Sequence, residues 1–334
     1  MAVQKSAATQ LAVHEEVTFM APVTFTDDDI IPFTEATFSP QTENLERSAV
    51  NSDSLLPYAA LKGRQTTSGS ITMETQPAVT DPELVGHTLY KVSVGRYDPQ
   101  GAVIDVANKT IEQHTDLSDG TDGLYYLGLG SDPTPSVGVK YVLGGDVNNS
   151  VDIRGVVVES MSMKFPPQGI MTTDFSLQGA TGFIPVTTGP LAAFCSTIEP
   201  YVAKSCTLTV DGTEMIATDV EFTITNEIAD FTSVNVDGIS EKSLTLRKIE
   251  GTFKLIFEDL SQINTFNSWA DAELFIHVVQ HDNKELAIQL MRMKRTSLDI
   301  SPDDGGIITQ TVKFEAFDDC ATGGDSAFKL AIKA

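Results

Sequence analysis

The stretches SMSMKFPPQGIMTTDFSLQG (160–179) and SLDISPDDGGIITQTVKFEA (297–316) carry the reading of the fold. They superpose without a gap at a shift of 137 residues, which sets Ser160 on Ser297, Met161 on Leu298, Met163 on Ile300, Gly169 on Gly306 and Ile170 on Ile307. Thr172 falls on Thr309, Phe175 on Val312 and Leu177 on Phe314. In each stretch apolar residues alternate with Ser, Thr and charged residues on both sides of a turn rich in Pro and Gly. Period-two alternation around such a turn predicts a β-hairpin, and the same hairpin is written twice.

Two earlier segments repeat in the same order. ATFSPQTE (36–43) matches within DVEFTITNE (219–227), and SGSITME (68–74) matches within EGTFKLIFE (250–258), at shifts of 184 and 182. The difference from 137 leaves about 45 extra residues in the first copy, between Glu74 and Arg154, and the Gly-, Asp- and Pro-rich stretch 98–145 is the natural place for them. Each copy then reads strand, long polar connection, strand, helix, further strands, hairpin, the mark of a tandem duplication. The expected helices are short. Asp81 caps Pro82 ahead of Leu84, Val85 and Leu89 in one half. Leu260, Ile263, Phe266 and Ala270, with Trp269 among them, recur at helical spacing after Asp259 in the other.

The chain has 334 residues, enough for two domains, with 41% hydrophobic and 20% charged residues, a globular composition. Lys and Arg number 22 against 46 Asp and Glu, a formal charge of −24. That balance argues against a broad basic face for nucleic acid. Residues 1–20 lack an apolar run with a small-residue cleavage site, so no secretory signal is expected. No run of 18 apolar residues suggests a membrane span. Cys195, Cys206 and Cys320 are odd in number and without CxxC spacing, and read as free thiols of a protein made in a reducing cytoplasm, with a disulfide between chains as the alternative.

Alternation gives each matched strand two faces. The apolar one holds Phe38, Ile71, Met73, Met161, Met163, Met171, Phe175 and Leu177, then Val220, Phe222, Ile224, Phe253, Leu255, Phe257, Leu298, Ile300, Ile308, Val312 and Phe314. It is the expected core. The other is dominated by short hydroxyl side chains and by the carboxylates Glu43, Glu74, Asp174, Glu221, Glu227, Glu250, Glu258, Asp299 and Glu315, with Lys164, Lys254 and Lys313 as basic exceptions. The plain reading of that face is a solvated sheet surface. The sharper one is the wall of an aqueous channel, because two sheets with little Pro to blunt their edges would be completed by joining edge to edge in a closed ring.

Motifs for chemistry are weak. His277 and His281 stand four apart, but in a Val-rich run that favours a strand and with no third ligand near. Asp116, Asp119 and Asp122 lack the distal Glu of a calcium loop. Asp27, Asp28 and Asp29 read as a solvated charge run, and the glycines of 127–133 form no phosphate-binding pattern. No enzyme activity, cofactor or metal is expected.

With its ordered duplication, its Gly69–Ser70–Ile71–Thr72 and Gly251–Thr252–Phe253–Lys254 strands, its two hairpins and one helix per half, the chain resembles the tail tube proteins of long-tailed bacteriophages. More narrowly it resembles the form with two fused tube domains, over about residues 20–320. The resemblance implies a mainly β fold: a tandem pair of β-sandwich or barrel domains, each with one flanking α-helix, whose inner sheets join between subunits into a closed barrel. The implied division is an N-terminal arm (1–20), a first domain (21–190, with the 98–145 insertion) and a second domain (191–334) ending in a short tail. It implies trimeric rings with pseudo-sixfold symmetry, stacked around a bore lined by the acidic face and its three lysines. The long connections, 44–63 and 228–243, would reach the adjacent ring through Glu46, Arg47, Leu55, Leu56, Tyr58, Phe231, Val234 and Val236. The implied partners are further copies of the chain and the tape measure, terminator and distal tail proteins. DNA would pass through without specific binding, and no membrane is involved. The implied location is the virion. The alternatives are a non-polymerising virion component of the same fold, such as a tail terminator or baseplate hub, and an acidic glycan-binding β-sandwich.

Overall fold

The computed structural model describes residues 9–45, 61–78, 84–98, 102–113, 124–129, 136–187, 199–203, 206–233, 238–257, 260–280, 284–302, 307–317 and 328–333. In chain order these form β1 (Gln10–Glu15), β2 (Glu35–Leu45), β3 (Leu61–Glu74), α1 (His87–Val94), β4 (Gly95–Asp98), β5 (Ala102–Asp105), β6 (Thr110–Gln113), β7 (Leu124–Leu129) and β8 (Val137–Val142). Then follow β9 (Ser150–Phe165), β10 (Thr172–Gly179) and β11 (Ile184–Val186). The remainder is β12 (Cys206–Val210), β13 (Thr213–Met215), β14 (Ala217–Thr232), β15 (Ile239–Ile256), α2 (Ser261–Ser268), β16 (Ala272–Val279), β17 (Glu285–Pro302), β18 (Ile308–Ala316) and β19 (Phe328–Lys333). The protein is mainly β.

Eight strands make one antiparallel sheet in the order β2–β3–β10–β9–β14–β15–β18–β17. The quoted stretches supply its β9–β10 and β17–β18 hairpins, and the two are paired alike. Met161 faces Phe175 as Leu298 faces Val312, and Ser162 faces Asp174 as Asp299 faces Thr311. Each hairpin slips register at the same place, leaving Glu159 and Thr296 as the extra residues of a β-bulge. The hairpins' neighbours match too: Gly69 faces both Phe38 and Leu177, and Gly251 faces both Phe222 and Phe314. The two sets of four strands meet inside the chain, where β9 pairs with β14 and Met163 faces Phe222.

A second layer lies behind the first. β1, β8, the first residues of β9 and β11 form one outer sheet, and β12, β16, the first half of β17 and β19 form the other. β9 and β17 therefore each run through both layers. In β9 the change of layer falls between Val156 and Val157, just after Gly155, whose φ of +59 is open to glycine and where a Cβ would meet Ala180, Met20 and Phe19 within 3.0 Å. Between the layers Ile71, Met73, Met161, Met163, Phe175, Phe222, Phe253, Val312 and Phe314 are buried in one core.

Several expectations are corrected. The first helix starts at His87 and not at Asp81, which lies outside the described residues. Leu84 is extended, bridged to Pro77, and the amide of Val85 donates to Gln76 O, so this backbone is committed before Gly86 (φ +75) turns it into the helix. Trp269 is not on α2. It closes that helix in the left-handed conformation, 55% exposed, and Ala270 lies beyond it. Residues 10–15 of the expected arm are the core strand β1, with Leu11 and Val13 buried. The expected C-terminal tail holds β19, whose Phe328, Leu330 and Ile332 are fully buried. The insertion does not stay with the first half: β7 pairs with β19, and the amide of Ile111 donates to Gln289 Oε1 of β17. Finally, Ile300 and Ile308 are 44% and 47% exposed, although their counterparts Met163 and Met171 are fully buried. Ile300 lies on the outer edge of β17, beside which no further strand is found among the described residues, and Ile308 opens β18 opposite Pro302.

Candidate interface: two open edges and an acidic face

Two strand edges of the eight-stranded sheet have no partner among the described residues. They are the outer side of β2, paired only with β3, and the outer side of 297–302 in β17, paired only with β18. The strands alternate in direction across the sheet, so these two edges would meet antiparallel. Transferring the internal β9–β14 register by the shifts of 137 and 184 sets Ile300 against Phe38, Asp299 against Ser39 and Leu298 against Pro40. Apolar then meets apolar and polar meets polar along the whole seam. Pro40 removes one donor from the ladder, which a single edge position tolerates.

The internal seam has further fastenings. Asn226 of β14, buried, donates from Nδ2 to Ser93 O of α1 (3.1 Å) and to Val158 O of β9 (3.0 Å), while its Oδ1 accepts from Arg247 Nε (2.7 Å). Arg247 also donates to Val94 O at the end of α1, and burial lowers its pKa to about 10. Lys242, its side chain wholly buried, reaches Asp230 and Gln178 at 2.6 Å each. Burial pushes Lys242 down, and the hydrogen bond with Asp230 opposes that. The long β14–β15 arm is thereby tied to the first half.

The polar face is continuous across the seam. Directly paired residues share a face, and one row reads Glu74, Thr172, Lys164, Glu221, Thr252, Lys313 and Ser297. The next reads Thr72, Asp174, Ser162, Thr223, Glu250 and Glu315. Asp299 and Lys254 both face Thr311, on the other side of the first row, and Glu43 and Glu227 continue the same face of β2 and β14. Lys164 is held by Asp174 at 2.6 Å with Glu221 at 3.9 Å, and the hydrogen bond to Asp174 raises its pKa. Its charge is therefore already answered on the face. Arg64 does the same for Glu43 at 3.3 Å.

Glu258, Glu46, Arg47, Leu55, Leu56, Tyr58, Val234 and Val236 lie outside the described residues, as do Cys195, Cys320, His281 and the 116–122 aspartates. Phe231 sits on the β14 arm, 52% exposed. Strand parity carried two residues further would have found Glu35, Asp219 and Lys248 on the same face. Lys248 lies 2.7 Å from Glu250 and 4.0 Å from Glu315. Glu159 had no such signal, because it is the bulge residue.

The remaining candidates are absorbed by structure. His277 is a buried residue of β16 that shares a 2.9 Å hydrogen bond with Glu285. Asp29 caps its own turn through Thr26 and bonds His14. Cys206 is a free thiol whose pKa burial raises to about 12. Among the described residues no cluster of His, Cys, Asp and Glu is suited to a metal, and no helix is long and apolar enough to cross a membrane.

No curated protein matches the sequence. The family model described as phage tail tube protein matches residues 6–316, nearly the whole chain. With two strand edges left open on a sheet that keeps one acidic face, this match means that the chain belongs to the phage tail tube protein family, as a structural component of the virion.

Proposed function

We propose that three copies close into a ring, with β17 of each copy joining β2 of the next in the register of the internal β9–β14 seam, and that the rings stack into a tube. The chain is then a tandem duplication, divided near residue 190, whose fused halves make one of every two seams covalent. The observation that carries this reading is the contrast at equivalent positions. Met163 and Phe222 are fully buried at the internal seam, while Ile300 is 44% exposed and Phe38 half-buried at the open edges. A neighbour seated as the second half sits on the first would bury them.

Three copies of eight strands make 24, and with strands about 4.8 Å apart and tilted about 40° such a barrel is roughly 45–50 Å across between backbones. Side chains narrow that to a bore still wider than a DNA duplex. The polar face would line it, with Glu74, Asp174, Glu221, Glu250, Asp299 and Glu315 outnumbering the lysines. A wall of the same sign as the phosphate backbone offers few counter-charges and lets DNA slide past. The β2–β3 and β14–β15 arms, Phe231 included, project past the sheet as the stacking contacts, and other tail proteins close the ends.

Negative-stain microscopy of the purified protein tests the assembly. The expected image is a stack of hollow rings, with threefold averages that are nearly sixfold. A monodisperse monomer under all conditions, or single rings that never stack, would overturn it, and the second result would favour a terminator-like role.

A further inference from the structure

On the first half, the turn end of the β9–β10 hairpin is covered by the chain itself. On their way to β12, residues 199–203 run across it. Tyr201 N donates to Thr75 O, Met171 N donates to Tyr201 O, and Ala203 N donates to Gly169 O, each at 2.9 Å. Val202 bridges Ile170, and Tyr201 is fully buried. The segment acts as one more strand laid on an open backbone, with Met171 sealed beneath it.

The second half has the same receiving geometry. Phe257 N donates to Ile308 O at 2.9 Å, as Thr75 N does to Met171 O. Yet Ile308 is 47% exposed where its counterpart Met171 is fully buried, and no isolated bridge reaches Ile307 among the described residues, as Val202 reaches Ile170.

We infer that residues 2–6 of the next copy in the ring cross the β17–β18 hairpin as residues 200–203 cross β9–β10, with Val3 beside Ile307. This rests on the ring proposed above. In that ring the element after β17 is the β2 of the neighbour, so the neighbour's β1 stands where β12 stands within the chain. Both strands are outer-sheet strands, β1 paired with β8 and β12 with β16. The segments leading into them are alike, VAKS (202–205) before β12 and VQKS (3–6) before β1. Charge agrees as well: the sequence joining β17 to β18 contains Asp303 and Asp304, and Lys5 is the lone Lys or Arg in residues 1–20. The strap makes ring closure depend on the segment ahead of β1 as well as on the sheet edge.

Cross-linking tests this in the full chain with Cys195→Ser, Cys206→Ser and Cys320→Ser, since Cys206 is only half-buried. Val3→Cys with Ile307→Cys, assembled and then oxidised, should convert most chains to covalent multimers on a non-reducing gel. Ile170→Cys with Val202→Cys should close within one chain and certify the geometry. Rings that form without the 3–307 cross-link, or that link Val3→Cys to Ile170→Cys, overturn the strap and leave the ring standing. If the unaltered chain forms no rings, the ring falls and the strap with it. Removal of residues 2–8 gives an independent reading: hydrogen exchange at the Ile308 amide, slowed on assembly of the full chain, should return to the unassembled rate. Protection kept in full by the shortened chain would overturn the inference.

Discussion

Gly69 and Gly251 occupy the same place in the two halves, and both are glycine for a packing reason. A Cβ on Gly251 would lie 2.3 Å from the Phe314 ring and 2.6 Å from Glu221 O; on Gly69 it would lie 2.4 Å from the Phe38 ring. Phe314 is locked in the core while Phe38 is half-buried on an open edge. Gly251→Ala should therefore cost about 1–3 kcal/mol and Gly69→Ala clearly less in the unassembled chain, as read from urea midpoints. Glu285 makes the pH prediction. Burial pushes its carboxyl up, but hydrogen bonds from His277 and Lys333 outweigh that, and the net shift is downward. A carboxyl lowered by folding contributes stability above its unfolded pKa and loses it as pH falls through the folded one. Glu285→Gln should flatten the acid limb of a plot of Tm against pH between about 6 and 3, and leave the alkaline limb as it was.

At the scale of elements, β14 carries the seam. Its alternation sends Val220, Phe222 and Ile224 into the core and Glu221, Thr223 and Thr225 to the polar face, and Asn226 then breaks the pattern with a buried amide. That amide satisfies two carbonyls of the first half and orients Arg247. Asn226→Ala leaves those partners buried and unpaired, and should lower stability by about 1–3 kcal/mol in denaturant unfolding. Asn226→Asp should be worse, since a carboxylate cannot donate to Ser93 O and Val158 O. α2 is held differently. Arg295, itself buried, donates from Nε and Nη2 to Gln262 Oε1, while Leu260 and Trp269 remain exposed at the helix ends. α1, touched by the β14 of its own chain through Ser93, has no such exposed ends, with Leu89, Tyr90, Val92 and Val94 all buried.

At the scale of the whole molecule, assembly and folding separate. Ile300 lies on an edge and contributes little to the core of one chain, so Ile300→Lys should leave the thermal melt within a few degrees of the parent. An inward lysine on an edge strand blocks pairing, and stacked rings should vanish from negative-stain fields. Met163→Lys, the same change at the internal seam, should instead unfold the chain. The proposed bore makes a second prediction. Reversing Glu74, Glu221 and Asp299 to lysine in assembled particles gives passing DNA fixed counter-charges, and ejection should slow in a salt-dependent way. Unchanged ejection would count against an electrostatic role for the acidic wall.

The sequence by itself determined which side chains share a face. Strand alternation has a period of two, so SMSMKF and SLDISP state their faces locally, and a repeated sequence repeats its pairing down to the bulges at Glu159 and Thr296. It also put acid on the face that stays polar. Only the tertiary structure decided what each edge meets. The residues of β9 and β17 are alike, yet one strand is flanked by β14 and the other, on that side, by no described strand, so Met163 is buried and Ile300 is not. Nor did alternation give the docking of the insertion through β7 on β19, or the late start of α1, since long-range pairing of backbone groups overrides a local cap. Burial depends on what lies across an edge, and no stretch of residues names its own neighbour.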